Sequence, residues 1–309
     1  MNHPNALLVL HGKQALNEEV RFAVKEWRAL GRELAVRVTW EPGDTRRIVH
    51  EAVAAGYRTL VAGGGDGTLR EVVQALLETG VDASLALLPL GTANDFAHAA
   101  DIPLEPFEAL TLLDREPVLV DVGEMNGEPF LNMATGGFGS RVTATTSEDL
   151  KRVLGGGAYL LTGLSRFSEL HAAWGHFVGP DFAWEGEFLA LGIGNGRQAG
   201  GGQQLCPQAS VNDGLLDVCI VPAPPDAVGT LGTLLSGGLR GVDAVSVKAR
   251  VPWLEVDGPV EIDINLDGEP SSAKRMRFTV RPGCLKVHLP VDSPLLLNEP
   301  LSVESEAAG

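Results

Sequence analysis

The stretch AGGGDGTLREVV (residues 62–73) places a carboxylate, Asp66, inside a glycine loop that joins a buried-looking apolar run to a helix-like one. Such a loop is either a tight strand-to-helix connection with Asp66 or Thr68 as its cap, or an anion site. Main-chain N–H groups at a helix start point outward, the macrodipole favours negative charge, and glycine lets a phosphate approach the backbone. An acid at that point either caps the helix or needs a cation between it and the anion. The same grammar returns in LPLGTANDFA (88–97): an apolar run, a glycine, Thr92, then Asn94 and Asp95 at a helix start. Neither loop has the Walker lysine, and the first lacks the final glycine of a dinucleotide fingerprint. With Thr39 at the end of another apolar run, the two loops outline one nucleotide pocket outside the carboxyl ends of parallel strands.

Two acidic turns lie further on. QASVNDGLLDV (208–218) carries Asn212-Asp213-Gly214, and INLDGEP (264–270) carries Asp267-Gly268-Glu269. Both read as plain turns. Both also suit chemistry: a tight turn offers carboxylate and carbonyl oxygens to a hard cation, and a carboxylate fixed on a turn can take a hydroxyl proton. Glu269 and its neighbour Asp267 are rivals for that second role.

The elements that would position these groups fall into two rhythms. Up to about residue 120, apolar runs at 6–10, 34–40, 58–64 and 85–91 alternate with helical patterns at 17–30, 44–55, 71–77 and 94–100, the pattern of a doubly wound parallel sheet. From there the chain reads as short strands separated by turns, beginning with the Asn126-Gly127 hairpin signal, and predicts an antiparallel β-sandwich. The expected division is a nucleotide domain over 1–122, a sandwich domain over 123–294 and a loose tail over 295–309. Helical segments are expected at 148–170 and 225–235.

Composition narrows the function. A net charge of −16 and a pI near 4.8 argue against nucleic acid and against broad adhesion to anionic membranes, leaving brief contact with a membrane surface through a local patch. No run has the length of a transmembrane helix, and the N-terminus lacks a signal-peptide pattern, so a cytoplasmic protein is expected. Cys206, Cys219 and Cys284 form neither a zinc pattern nor a disulfide framework and read as reduced packing residues. The histidines have no metal-ligand spacing, and no G-x-S-x-G elbow is present.

GGGDGTLREVV with PLGTANDFA resembles the nucleotide site of the diacylglycerol kinase catalytic-domain family. RVTWEPGD, NMATGGFG, GIGNGRQAGGGQQLCP, NDGLL and NLDGEP resemble its YegS-type bacterial lipid kinases, over roughly residues 5–295. The resemblance implies an ATP-dependent lipid kinase of phospholipid metabolism. In it, Thr39, the run Gly64, Gly65, Asp66, Gly67, Thr68, Leu69 and Arg70, and Thr92 bind the nucleotide. Asp66 is a catalytic residue in the phosphate and metal network, through charge relay by a magnesium shell or orientation of the acceptor hydroxyl, and Glu269 is the catalytic proton acceptor. The carbonyls of Ser210 and Leu215 with the carboxylate of Asp213 hold Mg2+ or Ca2+. Arg70 stands where the wider family usually has asparagine, so the resemblance carries over the backbone of that position rather than its side chain.

The acceptor implied is a lipid at the membrane surface, phosphatidylglycerol before diacylglycerol. Tyr159, Leu160, Leu161, Leu164 and Phe167 would form its apolar entrance, although an ordinary core face is the plainer reading of that stripe. Two rival functions share G-G-D-G-T: a kinase of a soluble substrate, of the NAD-kinase kind, and an ATP-binding regulator without catalysis.

Overall fold

A computed structural model describes residues 5–137, 172–202, 204–223 and 246–297. The expected helices at 148–170 and 225–235, the apolar stripe Tyr159 to Phe167 and the tail beyond residue 297 lie outside the described residues.

The first half is the expected alternation. Strands β1 (Ala6–Leu10), β2 (Leu34–Val38), β3 (Thr59–Gly64) and β4 (Ser84–Pro89) lie in the order 2-1-3-4, all parallel. Their unbroken apolar runs are explained by burial on both faces. Leu7, Val9, Leu60, Ala62, Leu85 and Leu87 join one core. Ala6, Leu8, Leu10, Val61, Ala86 and Leu88 join the other.

Helix α1 (Glu18–Ala29) covers the second face with Val20, Ala23, Val24 and Trp27, one stripe at helical spacing, and Asn17 caps it through the N–H groups of Glu19 and Val20. Helices α2 (Asp44–Ala54) and α3 (Asp66–Thr79) cover the first face. Helix α4 (Asp95–Ala99) follows β4. A further helix, α5 (Pro106–Thr111), was not expected, although proline at its first position after a Glu105 cap is a legible start signal.

The second half is antiparallel and rich in strands. The chain turns at Asn126-Gly127 between β5 (Val118–Met125) and β6 (Glu128–Phe130), and β7 (Met133–Gly137) follows. Then come β8 (Ala173–Gly179), β9 (Phe182–Gly194), β10 (Leu216–Pro222), β11 (Val247–Val251), β12 (Trp253–Leu266) and β13 (Glu269–Val287). Alternate residues of β9, β10, β12 and β13, among them Phe188, Ile193, Val218, Leu254, Ile264 and Phe278, meet in a core of their own.

Several expected strands merge or divide. Residues 246–256 split at Pro252 into β11 and the start of β12. The runs on either side of Gly258 belong to one strand, bent by an irregularity between Asp257 and Ile262. The two halves also share hydrogen bonds. The end of β13 pairs in parallel with β4 and antiparallel with β5, so the strands among the described residues form one continuous sheet rather than two separate ones.

His288 sits at that seam, buried, with Nδ1 at 2.9 Å from the Arg115 carbonyl and Nε2 at 3.0 Å from Ser84 Oγ. A carbonyl can only accept, so Nδ1 carries the proton and Nε2 accepts from Ser84. Burial holds the imidazole below its ordinary value of 6.5. A folded-state pKa lowered in this way contributes stability that is present above 6.5 and lost as pH falls through the folded value. The melting temperature is therefore expected to drop between pH 7.5 and 5.5, and to drop less in His288→Gln, measured by calorimetry at the two pH values.

Candidate active site

The two glycine loops touch. β3 ends at Gly64, Gly65 is the N-cap of α3, and the helix begins at Asp66, five residues earlier than the sequence pattern suggested. A Cβ on Gly91 would lie 2.5 Å from the Gly65 Cα, and one on Gly64 would run into the Thr68 side chain. Glycine is therefore required at both positions by contact, not by a left-handed backbone. Leu90 donates its N–H to the Gly64 carbonyl at 2.8 Å, and Asn94 closes the second loop through Gly91 N–H and C=O. Thr92 is exposed at its rim. Thr39, just past β2, accepts at Oγ1 from Gly12 N–H at 3.1 Å, which ties the ends of β1 and β2 together. Leu69 faces the core, so only its backbone belongs to the loop.

Asp66 answers the question its position raised. Its carboxylate accepts from the N–H groups of Asp95 and Phe96, both at 3.1 Å, and so caps α4 rather than its own helix. It joins one glycine loop to the helix opened by the other. Asp95 continues the chain of contacts: its carboxylate accepts from Gly201 and Gly202 N–H, with the nearest contact at 2.7 Å, and its carbonyl accepts from Gln198 Nε2. Burial, with the neighbouring Asp66 charge in the same direction, raises the Asp95 carboxyl above its ordinary value. Asp95 and Gln198 therefore hold the Gly200–Gly202 loop of the second half over the first, a role that sequence alone did not disclose.

Asp267 makes a third such anchor. It accepts from three successive N–H groups, Leu131 at 2.6 Å, Met133 at 2.8 Å and Asn132 at 3.1 Å. Desolvation pushes its carboxyl up to about 6, the hydrogen bonds pull the other way, and the Asp66 charge adds to the rise. With its oxygens held by the backbone, Asp267 is a structural acceptor. Glu269, two residues on, is exposed and points across to α3: a Cβ on Gly67 would lie 3.7 Å from Glu269 Oε1. The geometry thus brings Glu269, Gly67, Gly65, Gly91 and Asp66 to one crevice between the halves.

The turn at Asp213 lies elsewhere. The Asp213 carboxylate is enclosed, with Oδ1 accepting from Leu215 N–H at 2.9 Å and Oδ2 on the Arg250 guanidinium. Arg250 also reaches Asp217, while Asp121 accepts from Gly214 and Gly283 N–H. Burial raises the carboxyls of Asp213 and Asp217, and repulsion between carboxylates adds to it. Arg197 also acts on Asp217, and both carboxylate oxygens of Asp213 and of Asp121 already accept hydrogen bonds, so a hard divalent cation on Asp213 would have to displace the Arg250 guanidinium. Among the described residues no three His, Cys, Asp or Glu side chains surround one metal position. A cation here would have to take main-chain oxygens as well, as the carbonyls of Ser210 and Leu215 would provide.

Comparison with known proteins agrees with this architecture. Residues 5–125 match the family model of the diacylglycerol kinase catalytic domain, and residues 134–289 match that of the YegS C-terminal NAD kinase beta sandwich-like domain. The chain belongs to the YegS-like lipid kinases of the diacylglycerol kinase catalytic-domain family, and is an enzyme of the kinase class.

A Pseudomonas aeruginosa (strain PAO1) protein named "Probable lipid kinase YegS-like" is 70% identical over 300 residues, covering 97% of this chain and 99% of that protein. A protein of the same name from Pseudomonas fluorescens (strain Pf-5) is 64% identical over 296 residues, covering 96% and 99%. The crystal structure of a diacylglycerol kinase from Bacillus anthracis str. Sterne shares the fold, with a TM-score of 0.73 at 22% identity over 94% of this chain and 98% of that one. A second crystal structure from the same organism reaches 0.80 at 22% identity, over 94% and 97%. No helix among the described residues is long and apolar enough to cross a membrane.

Proposed function

We propose that the protein transfers the γ-phosphoryl group of ATP to a lipid hydroxyl, with phosphatidylglycerol as acceptor ahead of diacylglycerol. In this reading residues 1–122 are the nucleotide domain, residues 123–294 a β-sandwich that supplies the base and a metal turn, and residues 295–309 a tail. The main chain of Gly64 to Arg70 receives the phosphates at the start of α3, with Thr92 at the rim of the second loop and Thr39 at the nucleotide. Glu269 accepts the proton of the attacking hydroxyl. Asp66 fixes α4 and thereby the relation of the two loops. A divalent cation, Mg2+ or Ca2+, would supply charge neutralisation or rigidity, and the turn of Ser210, Asp213 and Leu215 is the place that would hold one.

The observation that supports this most is the approach of Glu269 Oε1 to Gly67, because it brings a free carboxylate from the second half to the anion-binding helix start of the first. Phosphoryl transfer is largely positioning plus charge stabilisation, and these are the parts present. The test is incubation with γ-labelled ATP and a total lipid extract, with the product identified by mass. A labelled phospholipid of the phosphatidylglycerol headgroup is expected. Label entering NAD instead, or no transfer to any lipid, would overturn the reading.

A further inference from the structure

Arg70 is one helical turn past Gly67 and Asp66, on the face of α3 that meets the second half. An aspartate and an arginine four residues apart on a helix would ordinarily pair. They do not. Both Asp66 oxygens accept from α4 N–H groups, and the Arg70 guanidinium turns to β6, with Nε donating to the Pro129 carbonyl at 3.2 Å and Nη2 lying 3.5 Å from Glu128 Oε2. The Arg70 side chain is only 13% exposed, whereas Glu128 is 55% exposed. The inner contact to Pro129 therefore dominates, since an exposed ion pair contributes little.

This contact closes a ring. From Arg70 the path crosses to Pro129, runs two residues to Leu131, crosses to the Asp267 carboxylate, runs two residues to Glu269 and returns to α3 at Gly67. Two of the crossings are hydrogen bonds, the third is the approach of Glu269 Oε1 to the side of Gly67 where a Cβ would stand, and the intervening chain is strand or tight turn. The pairing of β6 with β5 and of β12 with β13 and β7 holds the far side of this ring, and the Arg70–Pro129 link is the hydrogen bond that ties it to α3, so removing that link loosens the spacing between α3 and the turn that carries Glu269.

We propose that Arg70 is a positioning residue that sets the separation between the anion-binding start of α3 and the Glu269 carboxylate, and so the alignment of acceptor hydroxyl and phosphoryl group. The proposal rests on the reading of Glu269 as base. It differs from a role in binding the nucleotide, because the guanidinium faces β6.

The experiment is steady-state kinetics of the full chain with ATP and phosphatidylglycerol-containing vesicles. Arg70→Met keeps the apolar stem and removes the donor. It is expected to lower kcat about 30-fold, with the KM for ATP moving less than about three-fold, because a small misplacement of reacting groups falls on kcat. Arg70→Lys, which can still donate to Pro129, is expected to recover a third or more of the lost turnover. In a Glu269→Gln background the Arg70→Met step is expected to cost less than about three-fold, because the residue it positions is already gone.

A rise in the KM for ATP at unchanged kcat, or an undiminished effect in the Glu269→Gln background, would overturn the proposal while leaving the base in place. Full turnover by Glu269→Gln alone would remove the base assignment first and the role of Arg70 with it. If Arg70→Met fails to fold, Arg70→Gln is read by the same split.

Discussion

Glu269→Gln is expected to lower kcat by about 100- to 10,000-fold and to leave the KM for ATP within about three-fold. The substitution keeps the size of the side chain and removes its capacity to take a proton. Glu269 is exposed, and among the described residues no hydrogen bond holds its carboxylate in the way that three N–H groups hold Asp267. Folding should therefore change little, and thermal stability should stay within about 0.5 kcal/mol, as for other surface substitutions. In the proposed mechanism the carboxylate acts on the attacking hydroxyl, so the loss should fall on kcat, with nucleotide binding measured by equilibrium titration unchanged. Retention of wild-type turnover would mean that the acceptor proton leaves to water or to another group. Asp267 is not available as a substitute, since rotating its carboxylate toward the crevice would strand the N–H groups of Leu131, Asn132 and Met133.

That contrast between two acids two residues apart shows where sequence reading stops. The D-G-E turn itself was legible: Asp267 and Gly268 both take positive φ, 48° and 102°, as a two-residue hairpin of the favoured type requires, and Asn126-Gly127 does the same at 51° and 86°. The parallel strands were legible because burial on both faces leaves an unbroken apolar run, and the glycine loops because a strand feeds each of them. The division of labour between Asp267 and Glu269 was not. It depends on Leu131 to Met133, more than 130 residues away in the chain, arriving with their N–H groups on one acid and not the other. The same holds for Asp66, whose partners belong to the next helix, and for Asp95, whose partners Gly201 and Gly202 come from the other half. Local propensity also misplaced the start of α3. Gly67 and Thr68 are poor helix formers, and the helix extends back to Asp66 because the glycine loop, the Thr68 packing on Gly64 and the Leu69 burial hold its first turn in place.

Gly91→Ala should be the more damaging of two single-methyl changes in the crevice. The Gly91 backbone is not in the left-handed region, so alanine meets no conformational penalty of its own and the effect is one of contact. Its Cβ would lie 2.5 Å from the Gly65 Cα and 2.8 Å from Asn94 Oδ1. The first of these is backbone and cannot step aside by a rotamer change, so the two loops must part. Overpacking of this kind costs about 1–3 kcal/mol. Displacing the N-cap of α3 by even a fraction of an ångström moves the N–H groups that would receive the phosphates, for which a loss in kcat/KM on the order of 100-fold is expected.

Gly67→Ala provides the comparison. Its Cβ would lie 3.7 Å from Glu269 Oε1, an ordinary contact, and alanine within the first turn of α3 is favoured over glycine by about 0.5–1 kcal/mol. The second variant should therefore melt no lower than wild type yet turn over more slowly, because its methyl fills the side of Gly67 that faces the proposed base, Glu269. The first should both melt lower and lose activity. If Gly91→Ala kept wild-type kcat/KM, the contact between the two glycine loops would not be what shapes the phosphate site. If Gly67→Ala were as fast as wild type, the space between Gly67 and Glu269 would not be where the acceptor reacts.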